Sequence, residues 1–294
     1  MILSVEAKMK RRIKAEMFCL AVRPKKSAEE CLLLNEKLAS EFCLVKNPPF
    51  SWCADPFLID YNNSTWLFAE IFNLFTGRGS LYASKLIGNK IGRWMKCNVD
   101  KCHLSFPNVF WQNGKLYMIP ETSELNMLSL YECISFPKKW KKIKTIISGH
   151  PFVDSIHHIN GDFISYEIVK GERRLLFLSE NGTINEEIVD RDKKLRPAGK
   201  LLLYNKQVLF PSQDCSKEYG QAIVLNVIDG YSIEQSAIIH PSIFNEFLNK
   251  QLFVGMHTYN ANSSYEVVDL KFRKFSFLRF LGKPLRFLFR KKKQ

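Results

Sequence analysis

A strand–turn–strand unit recurs through this chain, and its period restricts the fold more than any other feature. Trp66-Leu-Phe-Ala-Glu70 has the same pattern as Tyr117-Met-Ile-Pro-Glu121, Phe163-Ile-Ser-Tyr-Glu167, Leu209-Phe-Pro-Ser-Gln213 and Phe253-Val-Gly-Met-His257. Each is a largely apolar run ending on a polar side chain. The spacings are 51, 46, 46 and 44 residues. Tight-turn residues precede several of the runs: Asp60-Tyr-Asn-Asn-Ser64, Asn113-Gly114, Asn160-Gly161 and Asn205-Lys206. Such side chains tolerate left-handed backbone and close hairpins. An earlier strand recurs as well, at Asp55-Pro-Phe-Leu-Ile, Phe106-Pro-Asn-Val-Phe, Asp154-Ser-Ile-His-His and Ala198-Gly-Lys-Leu-Leu. A third strand follows each unit, as at Ser80-Leu-Tyr-Ala-Ser and Leu128-Ser-Leu-Tyr-Glu. Sheets of this size repeated at roughly 40–50 residues predict a β-propeller. The expected fold is all-β, with five blades over residues 50–270, a short N-terminal α/β extension over 1–49 and a basic tail over 271–294. Within the extension, Ser27–Ser40 reads as a helix capped by Ser27.

Charge helps to exclude a function class. The chain has a net charge of +14, but residues 1–26 hold eight Lys/Arg against two acids, and residues 271–294 hold ten against none. The remaining body has 25 basic and 27 acidic residues. A nucleic-acid-binding domain more often carries its positive charge on the folded body, so no nucleic-acid partner is expected. In the tail, Arg279, Lys283, Arg286 and Arg290 recur at helical spacing beside Phe and Leu, which suits an anionic membrane surface. The eight cysteines show no Cys-x-x-Cys and no regular framework, no uninterrupted apolar signal region opens the chain, and no stretch is long enough to span a bilayer. These features favour a cytoplasmic protein with free thiols, peripheral to the inner leaflet.

In a propeller the same position on each blade lies on a ring about the central axis. Glu70, Glu121, Glu167, Gln213 and His257 are therefore expected to form a ring, with Asp55 and Asp154 near its mouth. Facing carboxylates suit glycosidic-bond chemistry. One is held protonated for the leaving oxygen and another ionised to activate an acceptor. His103, just before an innermost strand, and Arg196, as a fixed cation, join the candidate substrate-binding set with Glu70, Glu167, Gln213 and His257. Trp52, Phe57, Phe106 and Trp111 are candidates to stack on sugar faces. Cys97-x4-Cys102-His103 lacks a downstream pair at zinc-site spacing, so neither a metal nor another cofactor is expected. Asp190-Arg-Asp192 lies in a charged loop without a surrounding βα unit and reads as solvated.

These residues resemble a known family. Ala-Asp55-Pro-Phe-Leu, Leu-Phe-Ala-Glu70, Gly79-Ser-Leu, His103-Leu-Ser-Phe-Pro-Asn-Val-Phe, Tyr117-Met-Ile-Pro-Glu-Thr, Phe136-Pro-x-x-Trp140, Val153-Asp, Arg196-Pro-Ala-Gly and Tyr219-Gly follow one another in this order. Together they are similar to the N-terminal domain of plant glucosamine inositolphosphorylceramide transferases, which has bacterial relatives in surface-polysaccharide contexts. That domain is similar in fold to five-bladed family-43 glycoside hydrolases. The resemblance implies carbohydrate chemistry in polysaccharide or glycolipid assembly. It implies that Asp55 is a general base and Asp154 the second carboxylate, which tunes pKa. The general acid is assigned to Glu121, with Glu70 and Glu167 as alternatives. The resemblance is equally compatible with a non-catalytic glycan-binding propeller that positions substrate for a partner transferase.

Overall fold

The computed structural model describes residues 14–158, 161–248 and 252–275. They form five antiparallel sheets. Blade one runs from its innermost strand Ser51–Tyr61 through Ser64–Asn73 and Arg78–Ile87 to short edge strands. Blade two is Ser105–Gln112, Lys115–Glu121, Met127–Ser135 and Lys139–Ser148. Blade three is Phe152–His157, Phe163–Val169, Glu172–Leu178 and Ile184–Val189. Blade four has a split inner strand, Arg196–Pro197 and Leu202–Tyr204, followed by Gln207–Asp214, Ala222–Asp229 and Ser232–Ile239. The protein is a five-bladed β-propeller, as its period predicts.

Blade five draws on both ends of the chain. Its inner pieces, Phe253–Gly255 and Tyr259–Ala261, pair with Tyr265–Phe275, and that strand pairs in turn with Lys14–Pro24. The last contact runs unbroken from Lys14↔Phe275 to Pro24↔Tyr265. The N-terminal strand is thus the third strand of a blade, and Lys271–Phe275 is sheet and not tail. Arg23, fully buried, ties this seam together: it pairs with Glu266 on the neighbouring strand, with Glu30 at 2.5 Å and with Glu41 at 3.1 Å. The expected helix over Ser27–Ser40 is instead turns and a 3₁₀ helix, Glu36–Glu41, capped by Asn35. Leu32 and Leu33 turn into the core there, and the Leu32 amide is taken by the buried Glu266 carboxylate rather than by a helical carbonyl. The basic helical face at Arg279, Lys283, Arg286 and Arg290 lies outside the described residues.

Apolar clusters fill the seams between blades. Phe68, Tyr131 and Trp140 pack blade one on two, and Ile119, Phe163 and Leu176 pack two on three. Ile164 and Phe210 join three to four, Leu209 and Tyr259 four to five, and Val267 and Leu67 close five onto one. A closed ring leaves no blade unpartnered, which is how the fold protects its sheets. All eight cysteines are free. No described helix is long and apolar enough to cross a membrane.

Candidate functional site

Three innermost strands bulge at equivalent places. Register breaks fall between Ala54 and Phe57, between Ser105 and Asn108, and between Val153 and Ile156. At each, one non-glycine residue adopts left-handed backbone: Asp55 (φ 50°), Phe106 (φ 45°) and Asp154 (φ 45°). A bulge leaves a residue out of the ladder and re-aims its groups, and holding it in this region costs energy that its surroundings must supply. Here the surroundings are neighbouring blades. The Phe106 amide donates to Asp55 Oδ2 at 3.1 Å, and the Asp55 amide donates to Asp269 Oδ2 at 3.0 Å.

The second strands supply a ring, but with different members from those expected. Glu70 shares its sheet face with Phe68, Glu121 with Ile119 and Gln213 with Leu209, and in each case that face packs on the following blade. In blade three the equivalent place is held by Tyr166, on the face of Ile164. Glu167, one residue on, takes the opposite face by the alternation of a strand. Its carboxylate lies 3.9 Å from Arg174, across the hairpin. In blade five the place belongs to Asp269, on the face of Val267. His257 comes from the innermost strand region, so the run that ends on it is one strand out of phase with the others. Asp269 was missed because Tyr265-Glu-Val-Val-Asp269 reads locally as a third strand.

Asp55, His257 and Asp269 form one buried group. His257 Nδ1 is 2.7 Å from Asp269 Oδ2, at ion-pair distance but outside hydrogen-bond geometry, and Nε2 is 3.4 Å from Asp55 Oδ1. Asp269 Oδ1 accepts the amides of His257 and Thr258 at 3.0 and 2.9 Å, and Thr258 Oγ1 donates to Asp55 Oδ1 at 2.9 Å. Burial pushes the Asp55 carboxyl up to about 6, opposed by His257 and reinforced by Asp154 and Asp269. Burial lowers the His257 imidazole, but Asp269 and Asp55 outweigh it and its pKa is raised. These three residues offer ligand atoms within 4.8 Å of one another. A cation there would compete with the Thr258 hydroxyl and four backbone amides for the carboxylate oxygens, so the group is already internally compensated.

Asp154, Glu121, Arg196 and Gln213 form the second group. Asp154 Oδ2 accepts from Arg196 Nε at 2.5 Å and Gln213 Nε2 at 2.6 Å. Arg196 Nη2 also lies 3.6 Å from Glu121 Oε2. The Glu121 carboxyl is pushed up to about 8, first by burial and then by Asp154, against the pull of Arg196. Its Oε1 accepts from Ser123 Oγ at 2.8 Å.

Glu70 and His103 form a third. Glu70 is buried with Oε1 unpartnered, and His103 Nε2 lies 3.7 Å away. Burial and the other carboxylates hold Glu70 well above the usual carboxylate range. The Gly79 amide donates to His103 Nδ1 at 2.9 Å, which leaves the Nε2 position to carry the proton. Gly79 is required where it stands: a Cβ there would sit 1.9 Å from Glu70 Oε1. Burial lowers the His103 pKa.

The aromatic expectations divide. Phe57 and Phe106 are fully buried in the blade seams. The Trp111 ring N–H donates to the Asp60 carbonyl, at the hairpin-turn end of the blades. Trp52 stacks on Phe72 at 4.5 Å and meets Phe18, which in turn lies against His257 at 4.6 Å. Asp190 is not solvated: it is buried and accepts from Tyr166 Oη at 2.7 Å and from the amides of Lys194 and Leu195. A charged loop needed that brace to turn back into blade four.

Comparison with known proteins is decisive for the family. Residues 33–244 match the family described as Glucosamine inositolphosphorylceramide transferase 1, N-terminal. The chain belongs to this family. It is 32% identical over 206 residues to glucosamine inositolphosphorylceramide transferase 1 of Arabidopsis thaliana, and 29% over 205 residues to the protein of that name from Oryza sativa subsp. japonica. Each match covers 64% of this chain and 27% of the plant protein, so the chain corresponds to about a quarter of those relatives. Among solved structures, a β-xylosidase is similar with a TM-score of 0.52 at 11% identity, covering 75% of this chain and 93% of that one. A thermostable family-43 glycoside hydrolase gives 0.50 at 12% identity, covering 77% and 90%. At such identity these structures share the fold and nothing finer.

Proposed function

We propose that this protein is a carbohydrate-active propeller that cleaves or transfers a glycosyl group in the assembly of a polysaccharide or glycolipid. The observation that carries the reading is the opposed state of two carboxyls in one site: Glu121 is pushed up to about 8 beside Asp154, and Asp55 only to about 6 beside His257. Near pH 7 this leaves Glu121 with its proton and Asp55 without one, the division of labour that glycosidic chemistry needs. Glu121 gives its proton to the leaving oxygen. Asp55 takes a proton from the incoming water or hydroxyl. Asp154, fixed by Arg196 and Gln213, keeps Glu121 protonated by charge repulsion. Glu70 is the weaker acid candidate, because its carboxyl is boxed in by Gly79.

The family membership supports the substrate class, since its named members are transferases of a glycolipid. The same comparison supports a second reading, in which the propeller binds a glycan without catalysis, because the match is to the N-terminal quarter of larger proteins. Product analysis with nucleotide-linked and lipid-linked sugars separates the two: turnover by wild type that falls sharply in Asp55→Asn supports catalysis. Equal turnover by both proteins removes Asp55 as base, and no turnover with retained glycan binding favours the second reading. As part of the same proposal, the basic segment through residue 294 holds the protein at a cytoplasmic membrane surface. Flotation with anionic against neutral vesicles tests this.

A further inference from the structure

The loop Cys215–Gln221, between the strands Gln207–Asp214 and Ala222–Asp229 of blade four, is held down by blade five at Glu218, Tyr219 and Gly220. Lys271, almost fully buried, donates Nζ to the Tyr219 carbonyl. Arg273 Nη2 pairs with Glu218 at 2.7 Å, and the Met256 amide donates to the Gly220 carbonyl at 3.0 Å. Gly220 is left-handed (φ 57°) and lies so close to His257 that a Cβ would come within 2.5 Å of the histidine Cβ. An ordinary surface turn does not need a buried lysine, whose desolvation is costly. What this anchoring fixes is the Tyr219 ring.

That ring is two-sided. The residue is 43% exposed, while burial of its hydroxyl end, with the charges of Asp154, Asp55 and Glu121 acting against Arg196, holds the phenol well above its usual range. The Arg196 guanidinium sits 5.0 Å from the ring centroid, and the His257 ring meets it edge-on at 5.2 Å. Arg196 is the residue that holds Asp154, and His257 the one beside Asp55. Tyr219 thus rests on both halves of the site and presents open aromatic surface at its mouth. A rigid amphipathic ring of this kind offers a face to apolar C–H groups and a hydroxyl to polar ones.

We infer that Tyr219 is a substrate-contacting specificity residue, a fixed wall on which an uncharged pyranose ring stacks as it enters between Asp55 and Glu121. The inference rests on the proposed carbohydrate function, and it concerns binding where that proposal concerns turnover. The substrate class follows from charge: among the described residues Asp55, Asp154 and Asp269 pair only with Arg196 and His257 as cations, which disfavours an anionic sugar.

The test is saturation-transfer NMR on the full chain with a panel of neutral methyl pyranosides, followed by titration of any that bind. Tyr219→Ala is expected to weaken binding about tenfold, Tyr219→Phe and Tyr219→Trp to stay within about threefold of wild type. Lys271→Met keeps the ring and frees the loop, and is expected to weaken binding as well. Thermal melts confirm that each variant is folded. Binding in folded Tyr219→Ala that equals wild type overturns the inference, as does a panel in which wild type binds nothing. If binding follows Tyr219 but Asp55→Asn turns over substrate like wild type, the catalytic proposal fails and this inference stands.

Discussion

Asp269 accepts the backbone amide of Asp55 at 3.0 Å, across the seam where blade five closes onto blade one. The same carboxylate takes the amides of His257 and Thr258. The candidate base is therefore positioned by a strand whose other neighbour is the N-terminal strand of the chain. Asp269→Ala strips three charge-assisted bonds from fully buried groups, each worth about 1.5–3 kcal/mol. We expect a loss of at least about 3 kcal/mol, read as a lower urea midpoint. A midpoint within experimental error of wild type would mean that the seam is held elsewhere.

The Gly79–Glu70 contact makes a reciprocal prediction. Gly79→Ala forces a methyl into the Glu70 carboxyl and is expected to cost about 1–3 kcal/mol by overpacking. In a Glu70→Ala background that clash is gone but the methyl still meets the Leu104 carbonyl at 2.7 Å, so the same substitution should cost clearly less without becoming neutral. A double-mutant cycle checks this, and additive costs would contradict the contact.

Arg23 gives a test of how the ring is closed. It is buried with Glu266, which is itself fully buried. Arg23→Met leaves that charge without its partner, and breaking a buried pair in this way costs about 3–5 kcal/mol. Chemical denaturation measures it. The companion variant Arg23→Met/Glu266→Gln should recover part of the loss.

Two glutamates with the same sequence pattern are expected to behave differently. Glu121→Gln should lower turnover by about 10²–10⁴, the usual contribution of general acid catalysis. Glu167→Gln, which faces the other side of its sheet beside Arg174, should leave turnover within about threefold of wild type. Similar losses in both would break the assignment of the acid.

The pH dependence follows from the same groups. Turnover should rise as pH passes about 6 and Asp55 loses its proton, then fall as pH passes about 8 and Glu121 loses its own. The rising limb should vanish in variants that no longer depend on Asp55. For stability the sign is set by Glu121, whose folded-state pKa lies above its unfolded value of 4.5. Its protonated form is favoured by the fold, so that contribution is complete below pH 4.5 and is lost as pH rises through about 8. Glu121→Gln should flatten this alkaline loss in melts recorded from pH 5 to 9.

The sequence by itself determined the hairpins and their phase. Alternating apolar runs bounded by Asn-Gly, Asn-Asn and Asn-Lys turns can bury one face only as antiparallel strands, and five such units must close on one another. Asp55, Asp154, Glu121 and Arg196 were legible because they flank those turns and strands at repeated offsets. Tertiary structure decided the rest. Tyr166 and not Glu167 occupies the ring, because a shift of one residue in pairing turns a side chain to the other face of its sheet. Asp269 replaces His257 on the second strand because blade five pairs Tyr265–Phe275 with Lys14–Pro24, a partner at the far end of the chain. No local pattern encodes a contact over that separation. The opposed proton states of Asp55 and Glu121, and the anchoring of Tyr219, exist only once ring closure has buried these groups together and removed the water that would have screened them.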